Sequence, residues 1–79
     1  MSKAGSGVEE AVLILGAGHR AKGIIRAAYV AQTSQMAVYR WLKAGKLRDL
    51  APAMALALAC QPKNAAARWA LLERLRDPS

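Results

Sequence analysis

The chain of 79 residues has few of the residue types from which catalytic and metal sites are built. It has one histidine, His19, and one cysteine, Cys60, so no disulfide can form within the chain and a metal site would lack partners. No Ser/His/Asp set, carboxylate pair or Gly-rich phosphate loop is present. We therefore expect no enzyme, no metal and no cofactor. His19 is assigned to a helix start or a phosphate contact, and Cys60, in an apolar run, to a small core position.

Long hydrophobic runs are also lacking. No stretch approaches the ~20 apolar residues that span a bilayer, and the first ten residues lack the regions of a signal peptide. We expect a cytoplasmic chain with no membrane partner. Its length allows one small domain with a modest core, which leaves little room for an enzyme's cleft and favours oligomerisation. Since no strand is evident, Trp41 and Trp69 are expected in a core or an interface rather than on a sheet that stacks single-stranded bases.

Negative charge is missing from the middle of the chain. The formal net charge is +7 and the pI is about 10.4, yet residues 11–48 contain no acid at all. A solvated helical face normally mixes both signs, so this window favours a partner that is a polyanion, and nucleic acid is the first candidate. The basic residues of the window are Arg20, Lys22, Arg26, Arg40, Lys43, Lys46 and Arg48.

Apolar spacing and capping residues predict an all-α domain of about five helices over residues 6–76, after a disordered stretch at 1–5. Ser6 and Glu9 have capping-box spacing before a helix at 7–15, which Gly16-Ala17-Gly18 ends. Further helices are predicted from 19 or 20 to 31, at 34–44, at 51–60 after an Asp49 cap, and at 65–76 after an Asn64 cap. The helix at 51–60 is apolar nearly all round and is expected to be buried on most sides.

Residues 24–43 organise the rest of the chain, because they predict two helices joined by a tight turn around Gln32 and Thr33. The first of the two carries a stripe of small and apolar residues, and the second carries two apolar residues three positions apart, which places them on its inner face. Thr33 or Ser34 is suited to cap the second helix. The inner residues are Ile24, Ala27, Ala28, Ala31, Val38 and Trp41.

This segment resembles the helix-turn-helix of the Cro- and repressor-type DNA-binding proteins of phages and plasmids. Ala28 matches the small residue of the motif's first helix, and Val38 and Trp41 match the two buried positions of its second helix. Ser34-Gln35, Ala37 and the WLKAG ending also match. The family commonly has Gly where this chain has Gln32. Because a non-Gly residue in the left-handed conformation costs about 1 kcal/mol, we expect a longer or differently shaped turn.

The resemblance implies sequence-specific binding of double-stranded DNA by a small homodimeric transcriptional repressor that occupies an operator with two half-sites. Two alternatives remain open. One is another role for the same domain, as an excisionase-like or architectural DNA-binding protein or as an antitoxin. The other is a protein-interaction module that uses the two apolar C-terminal helices and binds no DNA.

Candidate site residues follow from position on the predicted recognition helix and around it. Those on the side of the helix that faces the DNA groove are expected to contact bases: Gln35, Met36, Tyr39 and Arg40. Those at its ends and on the preceding helix are expected to contact phosphates: Arg20, Lys22, Arg26, Ser34, Lys43, Lys46 and Arg48. The last helix is expected to form a dimer interface through Trp69, Leu71, Leu72 and Leu75.

Overall fold

Five helices make up the regular structure of the protein in a computed structural model, which describes residues 7–76. They are α1 (Gly7–Leu15), α2 (Arg20–Ala31), α3 (Gln35–Ala44), α4 (Leu50–Cys60) and α5 (Ala65–Arg76). No strand occurs in this range. The prediction of a small all-α domain is confirmed. The predicted Ser6 cap and the predicted disorder at 1–5 lie outside the described residues.

Local signals at the helix ends explain most of these bounds. Ala17 and Gly18 adopt φ angles of 52° and 91° and turn the chain away from α1. Gly45, at φ 79°, ends α3, and its N–H donates to the carbonyl of Trp41. The Asn64 side chain accepts from the N–H of Ala67 at 3.0 Å and so caps α5. Asp49 holds the N-cap position of α4, as predicted, but its side chain forms no capping hydrogen bond.

All five helices contribute to one core, but α3 contributes least. Val38 is the one residue of α3 that is fully buried, with Trp41 and Leu42 partly buried beside it. Each of the other helices supplies at least three buried residues. Because so little of α3 is inside, most of its surface remains open to a partner. The remaining core residues are Val8, Ala11, Val12, Ile24, Ala27, Ala28, Leu47, Ala53, Leu56, Ala57, Cys60, Leu71, Leu72 and Leu75.

Cys60 behaves as the small core residue that the sequence predicted. Its Sγ lies 3.6 Å from the carbonyl oxygen of Ala11, which ties the end of α4 to α1. Burial raises the pKa of the Cys60 thiol to about 11, and the nearby negative charge of Glu10 adds to the increase. The thiol is therefore neutral at physiological pH and serves packing rather than chemistry.

The prediction that α4 is buried on most sides is wrong for the single chain. Its buried residues follow one helical stripe, Ala53, Leu56, Ala57 and Cys60. Leu50, Met54 and Leu58, spaced by four, are about half exposed on another side of the helix. The core of one small domain covers only one face of α4, because α1, α2 and α5 are the helices that pack against it. This second apolar face of α4 is only partly covered by residues 7–76.

Helices α1 and α2 approach closely through two glycines. A β-carbon added to Gly23 would overlap the carbonyl oxygen of Val12 and lie 2.7 Å from its carbonyl carbon. A β-carbon added to Gly16 would lie 2.5 Å from the backbone nitrogen of Gly23. From helix propensity alone, Gly23 would count only as a weak point of α2. The structure shows that the missing side chain lets the two backbones touch.

Candidate nucleic-acid interface

The turn between α2 and α3 is three residues long, Gln32, Thr33 and Ser34. Gln32 adopts the left-handed conformation, at φ 55° and ψ 51°, at the position where glycine was expected. The N–H of Gln32 donates to the carbonyl of Tyr29 at 3.2 Å, and the N–H of Thr33 donates to that of Ala28 at 2.9 Å. The expectation of a longer turn is therefore wrong. Gln32 accepts the backbone strain, and the turn stays tight.

Ser34, rather than Thr33, caps α3. Its Oγ accepts a hydrogen bond from the N–H of Ala37 at 3.2 Å, which satisfies one of the otherwise unpaired donors of the first turn. The prediction of a cap at one of these two residues is confirmed. The Ser34 hydroxyl is exposed and keeps its own hydrogen for donation, so the cap does not compete with the predicted phosphate contact.

We expect Ser34→Ala to lower the free energy of unfolding by about 1 kcal/mol, because α3 loses its side-chain cap. Thr33→Ala is the matched control, since no side-chain cap from Thr33 to α3 is observed, and should change stability by less than about 0.5 kcal/mol. Urea denaturation followed by circular dichroism measures both. Equal losses in the two variants would contradict the assignment of the cap to Ser34.

The outer face of α3 carries the four residues predicted to contact bases. Gln35, Met36, Tyr39 and Arg40 are all exposed, while Val38 faces the core. In the described part of the chain, neither Gln35 nor Arg40 has a side-chain hydrogen-bond partner, so their polar groups are available. Helix α3 packs against α2 and α1 and not against α4 or α5. The structure thus brings the four side chains together on one open surface.

Five of the predicted phosphate contacts are exposed basic residues with no acidic partner among residues 7–76. Arg20 differs, because its Nε lies 3.1 Å from a carboxylate oxygen of Glu9 on α1. Both side chains are substantially exposed, so this pair is a weak one, but it leaves Arg20 less available than its neighbours. The five unpaired residues are Lys22 and Arg26 on α2, Lys43 on α3, and Lys46 and Arg48 in the loop that follows.

The loop after α3 is fixed to the end of α5. The N–H of Leu47 donates to the carbonyl of Leu75 at 2.8 Å, and its side chain is fully buried. The Arg76 guanidinium donates to the carbonyl of Arg48 at 3.3 Å. Lys46 and Arg48 are thereby held exposed on either side of Leu47. Sequence reasoning missed Leu47 as a core residue, although one apolar residue between two basic ones was the available signal.

Tyr29 is a candidate contact that sequence reasoning missed. It is 84% exposed near the end of α2, three residues before the turn, and Ile25 lies one helical turn earlier on the same side. A phenol hydroxyl is a common donor to phosphate oxygens. The signal in the sequence was its place outside the stripe of Ile24, Ala27 and Ala28, which left Tyr29 on the outer face of α2.

The predicted dimer residues of α5 divide into two groups. Leu71 and Leu75 are 1% and 0% exposed because they pack in the chain's own core, so their assignment to an interface is corrected. Leu72 is also nearly buried, at 9%. Trp69 is 65% exposed and does not fill the core of its own chain. Of the four residues, Trp69 is the one with a large surface to offer a partner.

Comparisons of the chain with protein-family models, with curated proteins and with solved structures gave no match. Within residues 7–76, no helix is long and apolar enough to cross a bilayer. The same residues contain no group of three or more His, Cys, Asp or Glu side chains placed to hold a metal ion.

Proposed function

We propose that the protein binds double-stranded DNA with sequence preference, through the outer face of α3. The observation that supports this proposal is the combination of a capped, mostly exposed α3 with a surrounding surface that is almost free of acids. Residues 11–48 contain no Asp or Glu, and the one ion pair observed at the basic residues of this window, among residues 7–76, joins Arg20 to Glu9. Such a surface suits a phosphate backbone on both sides of an inserted helix.

The side chains of α3 supply the chemistry for base recognition. Gln35, the first residue of the helix, can pair bidentately with the N6/N7 edge of adenine, and Arg40 can pair with O6/N7 of guanine. Met36 can contact a thymine methyl group. Tyr39 lies one turn after Gln35 on the same side and extends the surface. These four residues form the proposed base-contacting set.

The exposed basic residues that flank α3 would hold the duplex backbone. Lys22, Arg26 and Tyr29 of α2 lie before the turn, and Lys43, Lys46 and Arg48 lie at the other end of α3. Contacts to phosphates fix the register of a protein on DNA without reading the sequence. The anchoring of Leu47 to α5 keeps Lys46 and Arg48 in place and so reduces the loss of conformational freedom on binding.

The role that fits this interface best is a small transcriptional repressor of phage or plasmid type, acting on the bacterial nucleoid in the cytoplasm. It would bind as a homodimer to an operator whose half-sites are about 34 Å apart, and it would act by occupying a promoter. Footprinting on the region upstream of its own gene tests this role. Protection of a palindromic site over the promoter is expected, whereas protection without sequence preference would indicate an architectural protein.

An interaction module that binds no DNA is the competing proposal, because Leu50, Met54 and Leu58 of α4 and Trp69 of α5 are exposed apolar residues. Binding to random duplex DNA separates the two. A DNA-binding protein of this charge should retard random duplex at low salt and release it as salt rises. No retardation at low salt would overturn the proposed function.

Gln35→Ala and Arg40→Ala are each expected to relax the base preference at one position of the site, since a lost bidentate contact costs about 1–3 kcal/mol there. Lys46→Ala is the control, because a phosphate contact carries no sequence information, and it should weaken binding to all sequences alike. Selection of preferred sites from a random duplex library measures the preferences. Unchanged preferences in both the Gln35 and the Arg40 variants would place the base-contacting surface elsewhere.

A further inference from the structure

An open groove of about 780 Å³ runs between α4 and α5. Its base includes Ala57 and Leu72, which belong to the core, and its sides include Leu50, Met54 and Trp69. Leu50 and Met54 are 48% and 51% exposed, and Leu58 continues their stripe along α4. Monomeric proteins rarely leave a large contiguous apolar surface uncovered. A groove with this lining is typical of a surface that binds a partner.

The charges at the edge of this groove distinguish between partners. Glu73 is exposed and has no ion pair within residues 7–76. Arg68 and Arg76 line the same groove, and the hydrogen bonds observed for them go to the backbone carbonyls of Gln61 and Pro62 and of Arg48. Because this edge carries one acid beside two arginines, it is complementary to another edge that carries the same two signs.

We infer that two copies of the chain associate through this groove. The inference rests on the homodimer of the proposed function and assigns the interface of that dimer. In a two-fold interface, if one residue of the first copy contacts a second residue of the other copy, the reverse contact is also made. A copy that offers both an exposed Trp69 and an open apolar groove is complementary to itself. The same two-fold relation would allow Glu73 of each copy to pair with an arginine of the other, since both signs lie at the edge of the groove.

Association through α4 and α5 leaves the proposed DNA interface free. Helix α3 does not contact α4 or α5 in the described chain, and none of its residues lines the groove. The two surfaces are nevertheless joined rigidly, because the loop with Lys46 and Arg48 is held on the last residues of α5. A dimer built on α5 would therefore fix the relative position of two α3 helices, as two half-sites require.

Analytical ultracentrifugation without DNA tests the inference. The wild-type chain should be dimeric at tens of micromolar. Trp69→Ala and Met54→Glu should each raise the dimer dissociation constant by about 30-fold or more, because a large exposed residue near the centre of an interface contributes heavily to affinity. Ile25→Glu is the matched control, since Ile25 is 55% exposed on α2, away from the groove, and it should associate like wild type. Circular dichroism checks that each variant keeps its helix content.

A charge exchange gives a second readout. Glu73→Arg should weaken association by about 5-fold, and adding Arg76→Glu to the same chain should restore part of the loss if the two residues meet across the two-fold axis. A wild-type chain that stays monomeric at tens of micromolar would overturn the inference and leave the groove to a different partner. Equal association of wild type, Trp69→Ala and Met54→Glu would overturn it as well. A dimer that fails to bind DNA would instead contradict only the proposed function.

Discussion

The affinity for duplex DNA is expected to fall by about 10³–10⁵-fold between about 50 and 200 mM salt, if a dimer neutralises roughly 6–10 phosphates. Each copy offers six exposed basic residues with no acidic partner in the described structure, Lys22, Arg26, Arg40, Lys43, Lys46 and Arg48. Binding releases the counterions condensed on the phosphates that these residues neutralise, and added salt opposes that release. Fluorescence anisotropy with a labelled duplex, titrated at several salt concentrations, gives the slope.

Single substitutions show which charges produce the slope. Lys22→Ala should reduce it by about 1 for each bound copy, because one phosphate contact is lost. Arg20→Ala should reduce the slope less. Arg20 lies only two residues before Lys22, but it is already paired with Glu9. Lys63→Ala, in the loop between α4 and α5, should leave the slope unchanged. A wild-type affinity that hardly varies over this salt range would contradict a surface that follows the phosphate backbone.

The parts of the fold that could be predicted from sequence are those that local interactions determine. Ser34 and Asn64 bond to N–H groups three residues ahead, and Gly45 turns the chain at the end of α3. These interactions are the same in any tertiary setting, so a residue type at a given spacing is enough to place a helix end. The outer face of α3 was equally predictable, because Val38 and Trp41 define which side faces inward.

What could not be predicted depends on contacts between distant parts of the chain. Apolar residues lie on every side of α4, so spacing alone could not show that only one side meets the core. On α5, Leu75 is buried and Trp69 is exposed although both lie in apolar surroundings in the sequence. The pairing of Arg20 with Glu9 joins residues eleven positions apart on two helices. Each of these outcomes is decided by which helix packs beside which.

Gly23→Ala is expected to lower the free energy of unfolding by about 2–3 kcal/mol, as a steric overlap in a closely packed core does. If only the helix propensity of α2 mattered, the same substitution should stabilise the protein by up to about 1 kcal/mol, because alanine is the better helix former. The two arguments differ in sign, so the experiment decides between them. For a domain of this size, the expected loss would lower the melting temperature by about 8 °C or more.

The overlap dominates because the neighbouring atoms cannot move aside. The new methyl group would meet the carbonyl of Val12, which belongs to the backbone of α1, and a helix backbone yields far less than the end of a flexible side chain. Relief would require α1 and α2 to separate, which opens the packing around Val12 and Ile24. Ala21→Gly, two residues earlier on the exposed side of α2, serves as the control and should cost up to about 1 kcal/mol through propensity alone. Thermal and urea unfolding measure both variants. A Gly23→Ala protein that melts above wild type would show that α1 and α2 do not meet at this glycine.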